Sequence, residues 1–514
     1  MRKSSSILGG AILLTAANLL LRLISIGFNV FLSGSIGAEG LGLLQLISTV
    51  GVFAMLVGTS GVRVAAMYLA AEEFGHRRLC GVKEAMRVCL RTGLAISAAA
   101  GLCLFLLSDL FAVRLLRDVR AVPSLRVMGL LLPFSCLCGI MTGYFTACAR
   151  ISQLVVIEIA ERLVSLLLTA ALLLTWAKSD LSRACCAITL GSSVGCVFDF
   201  VLLYCMYRRD IHSVAPPQAP LFMKKRLFRL CVPLALNDYL RAGLNTAEQL
   251  LIPVGLARYG SSSAQAMASY GTIHAMVFPV LMFPAAILYS VSDLLVPELS
   301  RSRAAGRRLR IVDLTDKCLR MEMLFAAAVS GFFFLYGDAL GQLLYESREA
   351  GHYLHVFAPM VLMLYLDAIV DGILKGLAEQ VACVRYNTFT SALDVILLLL
   401  LLPRYGIDAY VFAFALTHAI NLALSLRRLL QKTEHRPLPA DFFRPLFCLL
   451  FAVLLSSLLP NGAEASLPSL LLHGGCFLLL LSAAFLFSGA FREKDSAWLR
   501  RVLHRAVDRR GASG

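Results

Sequence analysis

Four polar side chains between residues 237 and 248 fall on one helical face. Asn237, Arg241, Asn245 and Glu248 are spaced i, i+4, i+8, i+11, which brings them to the same side of a 3.6-residue helix. An earlier segment repeats the pattern with Asn18, Arg22, Ser25 and Asn29. Arginine presents a planar fork of donors matched to phosphate oxygens, and the amides beside it bond hydroxyls and carbonyls. Both arginines lie inside long apolar runs. Arg22 is about fifteen residues, or roughly 22 Å, into its run at 1.5 Å per residue. At such depth a charge is costly in hydrocarbon and faces a bundle interior or an aqueous cavity. These residues are the candidate contacts for an anionic, phosphate-bearing ligand. The competing reading is that the arginines pair with Asp238 or Glu248, or snorkel.

A second set of polar residues suits cations. Asp367 and Asp371 share a face of one apolar run, Asp394 lies in the next, and Thr417, His418 and Asn421 in the one after. With Asp238, these oxygens could bind Na⁺ or relay a proton, the alternative being hydrogen bonding between helices. Arg63 falls near a helix end, where snorkelling is the default. His352 and His355 sit at another helix end and read as a solvated pair, not a metal site.

No phosphate-cradling P-loop, GxSxG elbow or HExxH helix is present, so ATP hydrolysis and protein hydrolysis have no visible engine. The sequence reads as a non-enzyme without a cofactor, in which any active transport draws on an ion gradient or membrane potential. Fifteen cysteines lie mainly in apolar runs, where a thiol behaves as a small hydrophobe. Cys136-Leu-Cys138 and Cys185-Cys186 lack zinc-site spacing, and no disulfide framework follows.

The elements that must position these residues are membrane spans. Hydrophobic residues make up 59% of the 514 positions, and the mean hydropathy is +0.77. Apolar runs long enough to cross a hydrocarbon core of roughly 30 Å fall near 7–33, 41–66, 88–108, 125–147, 155–176, 184–207, 230–256, 270–296, 319–341, 353–374, 385–402, 407–426, 443–459 and 467–489. Their continuity excludes the short alternating strands of a membrane β-barrel. The expected fold is therefore an all-α polytopic membrane protein with about fourteen transmembrane helices. Too long for a signal-peptide core, the first run is expected to stay as a signal anchor.

Lys and Arg cluster at Arg77–Lys83, Arg208–Arg226, Arg301–Arg310, Arg427–Arg436 and Arg500–Arg510. Cytoplasmic loops retain such residues, so both termini are expected in the cytoplasm. One outer loop disagrees, since Asp109 to Arg126 contains Arg114, Arg117, Arg120 and Arg126. The net charge of +16 is then mostly a topology signal, reinforced by anionic membrane lipids. Scattered cations without stacking aromatics argue against a nucleic-acid partner.

A proline-bearing inner loop, with Pro216, Pro217 and Pro220, divides the chain. Asn18-Leu-Leu-Leu-Arg22 and Asn237-Asp-Tyr-Leu-Arg241 stand 219 residues apart, and Gly143-Tyr-Phe-Thr-Ala-Cys-Ala149 and Gly372-Ile-Leu-Lys-Gly-Leu-Ala378 stand 229 apart. Similar offsets predict two pseudo-symmetric six-helix lobes related by an axis along the membrane normal. The expected organisation is a lobe over 1–207, a cytoplasmic linker over 208–229, a second lobe over 230–428, two further helices over 429–491 and a basic tail over 492–514.

Short motifs then resemble a known family. Gly37-Ala-Glu-Gly40-Leu-Gly-Leu-Leu-Gln45 with Gly58-Thr-Ser-Gly61, then Pro279 and Pro284 followed by Leu295-Val-Pro297-Glu-Leu-Ser300, then Gly372-Ile-Leu-Lys-Gly376-Leu, resemble the polysaccharide and lipid-linked oligosaccharide flippases. That family lies within the multidrug/oligosaccharidyl-lipid/polysaccharide exporter superfamily. The resemblance implies two six-helix lobes around a V-shaped cavity. It also implies alternating-access transport of a polyprenyl-diphosphate-linked saccharide across the bacterial cytoplasmic membrane, with spore cortex or envelope synthesis as the setting. Basic residues of the first helix line that cavity in related lipid II flippases, and Arg22 occupies the matching place. Arg63, where proline is usual, and Asp394, where asparagine is commoner, depart from the family pattern. Two rivals remain: a multidrug or cation antiporter on the same fold, and a transport-inactive scaffold for envelope assembly. Acidic or aromatic groups would hold cations in the first; two deep arginines count against it.

Overall fold

The computed structural model describes residues 4–59, 61–76, 78–148, 150–177, 180–212, 223–434, 439–458 and 466–491. The side chains of 4–18, 151–152, 233–234, 237, 290, 293–294 and 439–442 lie outside that description. The protein is an all-α polytopic membrane protein. Its first helices are α1 (Ser4–Thr59), α2 (Val62–Gly75), α3 (Leu79–Leu106) and the single turn α4 (Ser108–Leu110). A π-helical turn, Phe111–Leu116, and a 3₁₀ turn, Val119–Ala121, lead to α5 (Val122–Ala147), α6 (Ile151–Thr175), α7 (Leu181–Ile211) and α8 (Met223–Tyr259). Next come α9 (Ser263–Gly271), a π-helical segment Thr272–Val277, α10 (Phe278–Leu281) and α11 (Ala285–Ala304). The chain continues through α12 (Arg308–Tyr345), α13 (Arg348–Phe357), α14 (Met360–Gly376), α15 (Gln380–Tyr405), α16 (Ile407–Thr433), α17 (Pro439–Ser457) and α18 (Leu467–Phe487).

Among the described residues, eight helices are long and apolar enough to cross a membrane, or nine if α13 and α14, bent by 57°, make one span. The expected count of about fourteen is not reached by this measure, for physical reasons that differ between spans. Leu19–Thr59, at 41 residues, joins two expected spans through Gly37, whose φ of 68° and ψ of 179° are non-helical. Glu158, Glu161 and Arg162 load α6 with charge, and α8 carries Lys224, Lys225, Asp238, Arg241 and Glu248. The apolar run at 270–296 is broken at Met282–Pro284, and in α17 the apolar stretch is only Phe443–Ser457.

The chain groups into two compact units: residues 1–34, 258–260 and 272–514, and residues 35–257 with 261–271. This grouping follows packing, whereas the lobes expected from sequence follow the internal repeat. In the second unit α8 packs with the helices before it. Leu227 and Cys231 join a buried cluster with Val62, Val82, Cys89 and Tyr144, and Arg226 pairs with Glu72 at 2.6 Å and Glu73 at 2.9 Å. The same unit shows where two of the discordant loop arginines go: Arg120 pairs with Asp118 and Glu39 at 2.6 and 2.7 Å, and Arg126 with Asp109 at 2.8 Å. In the first unit α17 and α18 pack on α12, where Leu449, Phe477 and Leu481 meet Leu324 and Ala327.

Candidate functional site

In the first unit the candidate residues surround a defect in a helix. Pro284 has no N–H to donate and cannot continue the ladder, and the preceding π-helical segment is also off α-register. Unpaired carbonyls in a membrane span cost several kcal/mol, about as much as any polar group left bare in hydrocarbon. Here side chains from other helices fill them. The Tyr365 hydroxyl of α14 donates to Leu281 O at 2.6 Å. Arg22 Nη1 of α1 donates to Met282 O at 2.7 Å, and Asn29 Nδ2 to Ala275 O at 3.1 Å. The Tyr345 hydroxyl of α12 reaches Met276 O at 3.2 Å. Two members of the asparagine–arginine stripe on α1 thus hold the irregular stretch between α9 and α11.

Arg22 is half-buried, and its guanidinium lies over the Tyr289 ring, 5.4 Å from the centroid. The Met282 carbonyl takes one of its five donors. No acidic side chain pairs with Arg22 among the described residues, which removes the reading of a simple ion pair for it. Ser25 returns its hydroxyl to Leu21 O at 2.8 Å within its own helix.

The acidic set lies in the same unit. Asn421 Nδ2 donates to Asp367 Oδ2 at 3.0 Å. Thr417 Oγ1 donates to Asp394 Oδ1 at 3.1 Å, with further contacts to Ala413 O and Phe414 O. Asp371 lies 3.7 Å from Lys375. Asp367 and Asp394 each have one donor and Asp371 only the longer ion pair, yet Asp367 Oδ1, Asp371 Oδ1, Asn421 Oδ1 and Ser425 Oγ are buried without a hydrogen-bond partner. Oxygens so placed are ligands for a hard cation or stations for a proton. His418 instead bonds its own helix at Phe414 O, 2.9 Å away. His355 bonds Phe334 O at 2.7 Å, so of the two histidines only His352 is exposed.

In the second unit Arg241 and Asn245 are exposed, while Asp238 and Glu248 are half-buried. Arg241 has no ion-pair partner among the described residues. Next to Glu248, Gln249 Oε1 accepts from Thr49 Oγ1 at 2.6 Å and from the Tyr270 hydroxyl at 3.0 Å. On another face of α8 an apolar cavity of about 320 Å³ is lined by Val62, Ile96, Leu227, Cys231, Val232 and Tyr239. The side chains of Asn18 and Asn237 lie outside the described residues. Arg63 is exposed. Reading polar stripes alone missed Tyr289, Tyr345, Tyr365 and Gln249; the signal that points to the tyrosines is Pro284, whose helix break needs donors.

Comparison with known proteins agrees with this architecture. Residues 7–303 match the family described as polysaccharide biosynthesis protein, and the chain belongs to that family. It is 22% identical over 455 residues to stage V sporulation protein B of Bacillus subtilis (strain 168), covering 87% of each chain. Among solved structures it shares the fold of lipid II flippase MurJ in its inward closed conformation, with a TM-score of 0.74, 12% identity, and 95% of this chain and 100% of that one covered. An inward-facing multidrug resistance MATE family transporter of the MOP superfamily aligns with a TM-score of 0.61 and 12% identity, over 81% and 96% of the two chains.

Proposed function

We propose that this protein is a flippase that carries a polyprenyl-diphosphate-linked saccharide across the cytoplasmic membrane by alternating access. The observation that carries the reading is Arg22: a half-buried guanidinium within a long apolar run, with no acidic partner among the described residues, steadied by one carbonyl and one ring. Its remaining donors suit a diphosphate, and Arg241 is the matching cation of the second unit. Asn18, Asn29, Asn237 and Asn245 would bond sugar hydroxyls, with Glu248 beside them. The lipid tail stays in the bilayer while the two lobes rock. Membership of a polysaccharide biosynthesis family supports a saccharide cargo. Similarity to a sporulation protein makes spore cortex or envelope synthesis the setting to test.

Coupling to Na⁺ or H⁺ is proposed at Asp367, Asp371, Asp394 and Thr417, with Asp238 in the second unit. The unfilled oxygens at Asp367, Asp371 and Asn421 support it. The test is reconstitution into vesicles with lipid II or another lipid-linked sugar, scoring exposure in the far leaflet. Arg22→Glu should abolish exposure at unchanged protein abundance. Normal flipping by that variant would falsify the assignment, and export of cationic dyes with no effect on the lipid-linked sugar would replace it with a drug antiporter.

A further inference from the structure

Glu322, outside every set above, is a deeply buried carboxyl three residues inside the apolar run at 319–341. It lies in α12, about 7 Å along the axis from the helix midpoint at 1.5 Å per residue. The side chain is 2% exposed, and its Oε1 is buried without a hydrogen-bond partner. Its nearest cations along the helix are committed elsewhere: Lys317 pairs with Asp313 at 2.6 Å and Arg320 with Asp316 at 2.9 Å. The titratable groups that face it are Tyr365 of α14 and Cys318 of its own helix. On the adjoining face α17 and α18 present apolar side chains and Cys448. No charged side chain of α11 or α13 bonds it among the described residues.

An ionised carboxylate so placed would lack any compensating charge, at a cost of several kcal/mol. Thr315 and Cys318 lie on the same face of α12 by i, i+3, i+7 spacing. Thr315 is fully buried, and its Oγ1 is a second unpartnered oxygen, roughly 10 Å from Glu322 along the axis. Two orphaned oxygens, with a thiol between them, thus share one face of α12 toward its Arg308 end.

We propose that Glu322 is an intramembrane proton-binding site, loaded along the Thr315–Cys318 face and separate from the Asp367 and Asp394 pairs. Loading forms an O–H bond on the carboxyl with a proton taken from hydronium, which leaves as water; unloading reverses this. The site does not depend on the identity of the cargo.

The experiment uses the full-length protein in lipid nanodiscs and needs no substrate, so its failure is distinct from failure of the flippase reading. Dicyclohexylcarbodiimide, which adds to protonated carboxyls, should modify Glu322 as mapped by mass spectrometry, with labelling that falls as pH rises. Difference infrared spectra should show a deuterium-sensitive carboxylic-acid carbonyl band that Glu322→Gln removes and that Asp367→Asn and Asp394→Asn keep. Thr315→Val, which keeps the shape and deletes the hydroxyl, should slow labelling by about tenfold, the size of one lost polar contact. If Glu322→Gln does not fold, the pH dependence of labelling in the unaltered protein and the Thr315→Val rate decide the matter. Absence of an adduct at Glu322 while other carboxyls react overturns the proposal, as does labelling independent of pH or of Thr315.

Discussion

At the scale of single residues, the telling feature is how donors from other helices meet the carbonyls that Pro284 and the π-helical segment set free. Tyr365→Phe removes the hydroxyl that donates to Leu281 O and keeps the ring. Leaving that carbonyl unbonded should cost about 1–3 kcal/mol, visible as a lower unfolding temperature in detergent; an unchanged temperature would mean that Leu281 O finds another donor. Glu379 offers a test that depends on pH. Lys432 at 2.6 Å, joined by Arg428 at 2.7 Å, holds its carboxyl below the ordinary 4.5 against the opposing effect of desolvation. Because the folded value is depressed, the pairing stabilises the protein fully above the unfolded value and is lost as pH falls through the folded one. Glu379→Gln should therefore melt earlier than the parent at neutral pH, and the gap should close on acidification below about pH 4.5.

At the scale of elements, glycine decides where backbones can meet. A Cβ on Gly42 would lie 2.1 Å from Met267 O, and one on Gly271 would lie 2.2 Å from Ala38 O. The segment after Gly37 and helix α9 thus touch backbone to backbone, the close approach that small residues permit between membrane helices. Gly42→Ala must push α9 away, and we expect a loss of about 1–3 kcal/mol from overpacking, read by thermal unfolding or by the yield of monodisperse protein. A neutral result would show that α9 can shift freely. The same logic explains how α18 docks: Gly331 of α12 leaves room for Phe477 and Leu449, either of which would lie 2.5 Å from an added Cβ.

At the scale of the whole molecule, charge placement argues for topology. Basic residues collect in alternate loops, and two of the four exceptions between Asp109 and Arg126 are paired with acids, Arg120 with Asp118 and Glu39 and Arg126 with Asp109. A paired arginine presents less net charge to an anionic headgroup layer than a free one. A cytoplasm-dependent fluorescent reporter fused after Gly514 should fluoresce, and a phosphatase placed between residues 460 and 466 should be active only on the far side. The opposite pattern would invert the topology.

Hydrophobic run length and the spacing of the asparagines around Arg22 and Arg241 were legible in the chain, because span length and helical periodicity are local properties. So was the membership of an exporter-like fold, carried by short motifs in a fixed order. What tertiary structure alone decided is which partners those residues meet. That Arg22 and Asn29 hold the broken helix at Met282 and Ala275, that α8 packs with the helices before it, and that Glu322 Oε1 meets no donor among the described residues all depend on contacts between residues far apart in sequence. No periodicity encodes such contacts. The paired asparagine–arginine stripes could be read from spacing, but the carbonyls that engage one of them could not.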